Sequence, residues 1–163
     1  MAYSNAARLL EGCERGRLMA SEKNVTRWAT AISTHKQNGR KIIFRFAQEF
    51  TPQFDRASQP DRIILTWKYH SGTGQPSSDE HARMDLLEDA LGAVLFEEEF
   101  ATLALVSTGE NLREWIYYAR SEDEFMDRLN RALAGELFPI EIHAAADPSW
   151  ESYEAFRTGV KGL

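Results

Sequence analysis

Cysteine is almost missing from this chain of 163 residues: Cys13 is the only one. An intramolecular disulfide is therefore excluded, and so is a cysteine-rich zinc site. No run approaches the ~18 consecutive apolar residues of a membrane-crossing helix, so no membrane span is expected. Residues 1–18 carry no basic segment followed by an apolar core. No secretory signal is read there, and cytoplasmic residence is the expectation. Positive charge is not in excess: Lys plus Arg is 19, Asp plus Glu is 25, and the net charge is −6. That balance argues against an electrostatic nucleic-acid binder. It suits a partner with a basic surface, because complementary charge speeds association, although solubility alone also accounts for such a charge. Internal repeats and low-complexity tracts are absent as well. What remains is ordinary globular composition, 43% hydrophobic and 27% charged, long enough for one domain or one domain with an appendage.

Residues 1–23 read as a short helical appendage, with Leu9, Leu10 and Cys13 at helical spacing but Gly12 and Gly16 interrupting it. From Val25 the pattern turns to β. Strands are predicted over residues 25–33 and 40–47, with Asn38-Gly39 as a hairpin turn between them. Residues 50–60 form a loop bounded by Pro52 and Pro60. Residues 61–69 alternate, with Ile63, Leu65, Trp67 and Tyr69 on one face. The loop 70–76, with Gly72 and Gly74, is expected to be mobile. Ser77 and Glu80 then form a capping box for a helix whose stripe is Met84, Leu87, Leu91, Val94 and Leu95. A second hairpin, residues 101–107 and 112–120, turns at Thr108-Gly109-Glu110-Asn111. Ser121 and Glu124 open a second helix carrying Phe125, Leu129, Ala132 and Leu133, which stops at Gly135. Residues 138–144 are a last strand with Ile140, Ile142 and Ala144 on one face. Asp147-Pro148 starts a short closing helix with Trp150 and Tyr153 as its anchor.

The order after the opening hairpin is β-α-β-β-α-β. The fold is therefore expected to be α+β, a ferredoxin-like β-α-β-β-α-β sandwich preceded by a β-hairpin. Its expected bounds are a helical appendage at 1–23, one domain at 24–157 and a tail at 158–163. Several stretches carry a resemblance: WKYHSGTGQPSSDEHARMDLLEDAL from Trp67, REWIYYA from Arg113 and DPSWESY from Asp147. In this order they resemble the bacterial family named as domain of unknown function 695, over roughly residues 25–156. The opening hairpin is similar too, more weakly. The resemblance implies no established activity. Some members of that family are fused to a domain resembling the protein regulator B of ribonuclease E, which points to protein binding.

Among residues that could carry chemistry, His81, Asp85, Glu88 and Asp89 are expected on the exposed side of the first helix. His81 and Asp85 stand at i, i+4, but two ligands make a poor metal site, so no metal and no cofactor is expected. Glu97, Glu98 and Glu99 form an acidic run suited to docking a basic partner. With Trp115 and Tyr117 turned to the helices beside Trp67 and Leu65, the opposite sheet face is expected to be open. It would collect Arg45, Thr66, Lys68, Glu114, Tyr118 and Arg120, joined by Glu141 and His143. Such a face could grip a partner, or it could simply be laced with cross-strand charge pairs. GTGQPSS lacks the lysine and spacing of a phosphate loop, and no serine has a nucleophile context.

The sequence thus predicts a non-enzymatic cytoplasmic domain that binds another protein, as a regulator, inhibitor or immunity-type protein. Its expected binding residues are Lys68, Glu114, Tyr118, Arg120, His143, Glu97, Glu98 and Glu99. One alternative is a small enzyme or ligand-binding domain with its site at the open sheet face and the 70–76 loop, anchored by Glu114, Tyr118, Arg120 and His143. Another is a structural homodimer formed through that face. Neither nucleic acid nor membrane is expected as a partner.

Overall fold

A computed structural model describes residues 7–10 and 22–162. The strands are β1 (Ala7–Leu10), β2 (Val25–Thr34), β3 (Lys41–Phe50), β4 (Asp61–Lys68), β5 (Ala101–Gly109), β6 (Leu112–Ala119), β7 (Ile140–Ala146) and β8 (Val160–Lys161). The helices are α1 (Ser78–Leu95), α2 (Glu122–Ala132) and α3 (Glu151–Gly159). The fold is α+β. One sheet runs in the order β7-β4-β6-β5-β3-β2-β1-β8, with every neighbour antiparallel except the short β1–β8 pair. The opening hairpin β2-β3 extends the sheet by pairing β3 with β5. Among the described residues no helix is long and apolar enough to cross a membrane.

Each turn chemistry has a local cause. Glu110 and Asn111 both adopt left-handed φ, 53° and 65°, as a two-residue hairpin turn compatible with right-handed strand twist requires. Gly109 before them is obligatory for another reason. A Cβ there would sit 2.5 Å from the Lys41 carbonyl oxygen, so only glycine lets β3 approach. The loop at 70–76, expected to be mobile, is tied down instead. Tyr69 donates its hydroxyl to Gly74 O (2.8 Å), Asn111 N–H donates to Gly74 O (3.1 Å), Gln75 donates to Lys41 O (2.7 Å) and Arg40 donates to Gly72 O (2.8 Å). Only half of each predicted capping box forms. Ser77 and Ser121 accept the amides of Glu80 and Glu124. The Glu80 carboxylate takes the Trp67 indole N–H at 2.7 Å, and that of Glu124 takes Arg128.

The larger core lies between the sheet and α1 with α2. Ile63, Leu65 and Trp67 of β4 and Trp115 and Tyr117 of β6 meet Met84, Leu87, Leu91, Leu95, Phe125 and Leu129 there. This is the face that the alternation assigned to the helices. The opposite face is not open as expected: α3 covers its middle. Trp150 is fully buried, stacked on Tyr118 at 4.0 Å between ring centroids, and edge-on to Phe50, Phe54 and Tyr153. Its indole N–H donates to the carbonyls of Gln59 and Arg56. Phe156 packs on Phe44 and Phe46 beside Ala31 and Leu105. Alternation within one strand reports two faces; it cannot report that a later helix returns to the second.

Two further expectations are corrected here. Ala7–Leu10, read as part of a helix, is strand β1, antiparallel to β2. The unpaired edge of β2 offers backbone donors and acceptors that a short apolar segment satisfies as readily by pairing as by coiling. Residues 1–6 and 11–21 of the expected appendage lie outside the described residues. Val160 and Lys161, assigned to a tail, pair in parallel with β1.

Asp147 joins the end of β7 to α3. Its carboxylate accepts the Tyr118 hydroxyl (2.8 Å) and the amides of Glu151 (2.8 Å) and Ser152 (3.1 Å). It caps α3 across a turn in which Trp150 adopts φ 56°. Burial acts to raise the Asp147 carboxyl, but the donations from Tyr118, Ser152 and Glu151 outweigh it and hold the group below its ordinary value. Folded Asp147 therefore binds its proton more weakly than the unfolded chain does. Its stabilisation is present above the unfolded value near ~3.9 and is lost as pH falls through the folded value. Asp147→Asn should destabilise the domain by about 1–3 kcal/mol at neutral pH. In denaturant titrations the gap from wild type should close on acidification below about pH 4.

Candidate functional site

Glu88 is the centre of the polar structure inside this fold. It stands at i+4 from Met84 and i−3 from Leu91, on the buried stripe of α1 and not on the exposed side expected for it, and only 5% of it is exposed. Its carboxylate accepts the Trp115 indole N–H (2.8 Å), Arg113 Nη2 (3.3 Å) and Arg45 Nη2. Arg113, equally buried, lies over Trp115, and Arg45 lies over Trp28. Arg45 thus sits on the helix side of the sheet, where β3–β5–β6 register aligns it with Val106 and Trp115. The open-face expectation for Arg45 is corrected by that cross-strand register. Burial lowers the Arg113 guanidinium, opposed by Glu88.

Above this network, α1 and the sheet diverge and leave a groove of about 490 Å³. Its floor holds Arg45, Val106 and Arg113; its α1 wall holds His81 and Asp85; Gln75 and Pro76 close one end. His81 Nδ1 and Asp85 Oδ2 are 3.3 Å apart, the i, i+4 pair foreseen from spacing. Among the described residues no three metal-ligating side chains converge.

Behind the floor lies the Glu22 carboxyl. Glu22 Oε1 accepts the Leu103 amide at 3.1 Å, and Asn24 donates to Thr102 Oγ1 at 3.1 Å. The β5 register shifts between Leu103 and Leu105, and pairing with β3 stops at Leu105. The two side chains therefore satisfy polar groups where the β3–β5 ladder ends. Burial raises the Glu22 carboxyl well above its ordinary value; the Leu103 amide and Arg45 work against this, and Glu88 adds to it. Burial likewise raises the Tyr117 phenol, whose hydroxyl is buried without a hydrogen-bond partner among the described residues.

A second feature lies at one end of the sheet. Glu97, Glu98 and Glu99, expected to be exposed, are exposed. Ala101 pairs with Ala119, and Arg120 N–H donates to Phe100 O (3.2 Å). The acidic run therefore lies beside Glu122, Asp123 and Glu124, the exposed first turn of α2. Arg128 links the two runs: its Nη2 is 2.6 Å from Glu124 and 3.9 Å from Glu98. Its Nη1 donates to Val94 O (2.9 Å) and Glu97 O (3.4 Å), and its guanidinium lies over Phe100 at 4.2 Å. It thereby caps the α1 C-terminus, where carboxylates oppose the helix dipole. Glu98 and Glu99 both have φ 54°, a left-handed conformation that costs a non-glycine residue about 1–2 kcal/mol.

The remaining sequence-predicted strand residues share the expected face: Tyr118 pairs with Arg62, His143 with Ile64 and Glu114 with Thr66, on the side of β4 that also carries Lys68. What differs is that Trp150 and α3 cover the middle of that face. Arg120 is exposed beside the acidic end. Tyr118 is fully buried under Trp150. Lys68 and His143 both lie near Glu141, at 3.0 and 3.9 Å, and Glu114 accepts from Ser107 at 3.3 Å. That part of the sheet is laced with cross-strand pairs.

Two predictions test the interior network. Glu88→Ala should cost about 3–5 kcal/mol in denaturant melts, because it takes the nearest counter-charge from the buried Arg113 guanidinium and an acceptor from the Trp115 indole. Glu22→Gln addresses the opposite sign. A carboxyl raised on folding destabilises progressively as pH climbs from its unfolded value near ~4.3 to the folded value. The stability of Glu22→Gln relative to wild type should therefore increase with pH across that window and level off above it.

Comparison with known proteins returns no match among curated proteins and none among solved structures. A family model does match, over residues 26–157, which spans β2 through most of α3. On that match, the chain belongs to the family of unknown function DUF695.

Proposed function

We propose that this protein is a non-enzymatic, cytoplasmic binding domain whose acidic end docks a basic surface of another protein. The observation that supports this reading is the convergence of Glu97, Glu98 and Glu99 with Glu122, Asp123 and Glu124 at one end of the sheet, bridged by Arg128. The left-handed backbone of Glu98 and Glu99 adds to it, because strain of this kind concentrates where a segment is held for recognition. Dense negative charge on a rigid turn speeds encounter with a cationic partner and weakens steeply with salt. The scaffold in this reading is a ferredoxin-like unit, β4-α1-β5-β6-α2-β7. The strand order β7-β4-β6-β5 and the placement of α1 and α2 on one face support it. A regulator, inhibitor or immunity-type role is the biological form this would take.

The groove favours a second reading, a small-ligand site. Arg45, Gln75, Thr108, His81 and Asp85 bring polar groups of both signs to one concavity beside Ile43 and Val106, a composition that a small polar ligand would use. This site lies on the α1 side of the sheet. It shares only the Gln75-Pro76 end of the 70–76 loop with the location expected from sequence.

Capture from host lysate by tagged wild type and by a Glu97→Lys/Glu98→Lys/Glu122→Lys/Asp123→Lys variant tests the first reading. A stoichiometric partner that wild type holds at low salt, releases at moderate salt and the variant fails to hold is the expected result. A partner held equally by both proteins would refute the acidic end as the docking surface. If a ligand screen by thermal shift stabilises wild type but not Arg45→Met, the groove reading replaces it.

A further inference from the structure

We infer that the free edge of β7 is a self-association surface, on which a second copy of this chain pairs antiparallel about Ile142. Strand β7 ends the sheet, and its outer side pairs with no described strand. It runs in unbroken register against β4 from Ile140 to Ala146. Its sequence, IEIHAAA, has no proline, no lysine and no bulge to guard the edge; its one carboxylate is Glu141, and the Ile140 N–H is held locally by Phe138 O at 2.9 Å.

Backbone direction selects the register. Asp147 N–H donates to Pro60 O at 2.8 Å, just beyond the last β7–β4 pair. Antiparallel alternation then turns residues 141, 143 and 145 toward β4, and presents the N–H and C=O groups of Ile142, Ala144 and Ala146 at the open edge. A two-fold axis at Ile142 places Ile142 opposite its own copy in a hydrogen-bonded pair and Ile140 opposite Ala144 of the second copy. Glu141 then falls opposite His143 of the second copy, twice, in the non-hydrogen-bonded positions where side chains approach closest. Among the described residues, the other charged group tied to this pair on their shared face is Lys68, 3.0 Å from Glu141. A two-fold centred one residue along, at His143, would set the histidines opposite each other and lose this complementarity. Leu137, 96% exposed and three residues before the strand, adds apolar surface beside the joint. Pairing in this way would join two sheets into one, and it leaves both the acidic end and the groove uncovered.

A ribbon of this length falls at the small end of specific interfaces, so dimerisation in the micromolar range is expected. Sedimentation velocity of the full chain from micromolar to submillimolar concentration provides the test. Wild type should pass from monomer to dimer. His143→Glu, which sets carboxylates opposite each other, should raise the dimer Kd about tenfold. Glu141→His/His143→Glu, which exchanges the partners, should restore it. Ala144→Pro removes an outward N–H on an edge position where proline is tolerated, and should abolish the dimer while circular dichroism shows an intact fold. If that variant fails to fold, the charge exchange decides. Wild type that stays monomeric throughout, or dimerises unchanged in the charge variant and in a folded Ala144→Pro, would overturn the proposal.

Discussion

One carboxylate on the buried stripe of α1 holds the two parts of this sheet to the same helix. Glu88 receives Arg45 from β3, and Arg113 and Trp115 from β6. Within the sheet the opening hairpin joins the rest through a short ladder: β3 and β5 share four residue pairs, Ile43↔Thr108 to Phe46↔Leu105. Past Leu105 the ladder gives way, and Glu22 and Asn24 satisfy the polar groups of Leu103 and Thr102. Ion pairs in a core gain little net stability over apolar residues of the same shape, because desolvation cancels most of the attraction. Their contribution is conditional, since each charge is costly without its partner. Arg45, Glu88 and Arg113 therefore specify where the hairpin lies relative to α1, and so the width of the groove between them.

The other side of the sheet is organised by aromatic packing. α3 returns over β3, β5 and β6 with Trp150, Tyr153 and Phe156, and Asp147 fixes its start by accepting from both the strand below it and the helix it caps. The Tyr153 hydroxyl donates to the Ala47 carbonyl, so α3 holds the opening hairpin from the face opposite Glu88. With the centre of both faces covered, the groove beside α1, the acidic end and the β7 edge are peripheral surfaces among the described residues.

Much of this architecture can be read from the chain. Trp67, Leu65, Trp115 and Tyr117 share the helix face because strand side chains alternate, and Glu110-Asn111 turns a hairpin because asparagine tolerates left-handed φ. Glu88 was legible in principle. It stands in the same heptad stripe as Met84 and Leu91, and a carboxylate there calls for buried donors, of which Arg113 lies two residues before Trp115 on the same face. Charge alone suggested a solvated position, and that hid it. Other features have no local signal. Nothing within residues 112–119 distinguishes Tyr118, buried under a helix that begins at residue 151, from an exposed tyrosine. Arg45 changes face relative to Thr66 only through cross-strand register, which no single strand encodes. The acidic end joins residues 97–99 to 122–124 through the β5-β6 hairpin, so composition gives the charges and topology alone gives their convergence.

The central claim is that Glu88 couples the hairpin to α1 through Arg45. The most direct measurement is a double-mutant cycle on Arg45→Met and Glu88→Gln by denaturant unfolding. A coupling energy above about 1 kcal/mol is predicted, with the double variant less damaged than the sum of the single changes. Additivity within about 0.5 kcal/mol would contradict the account.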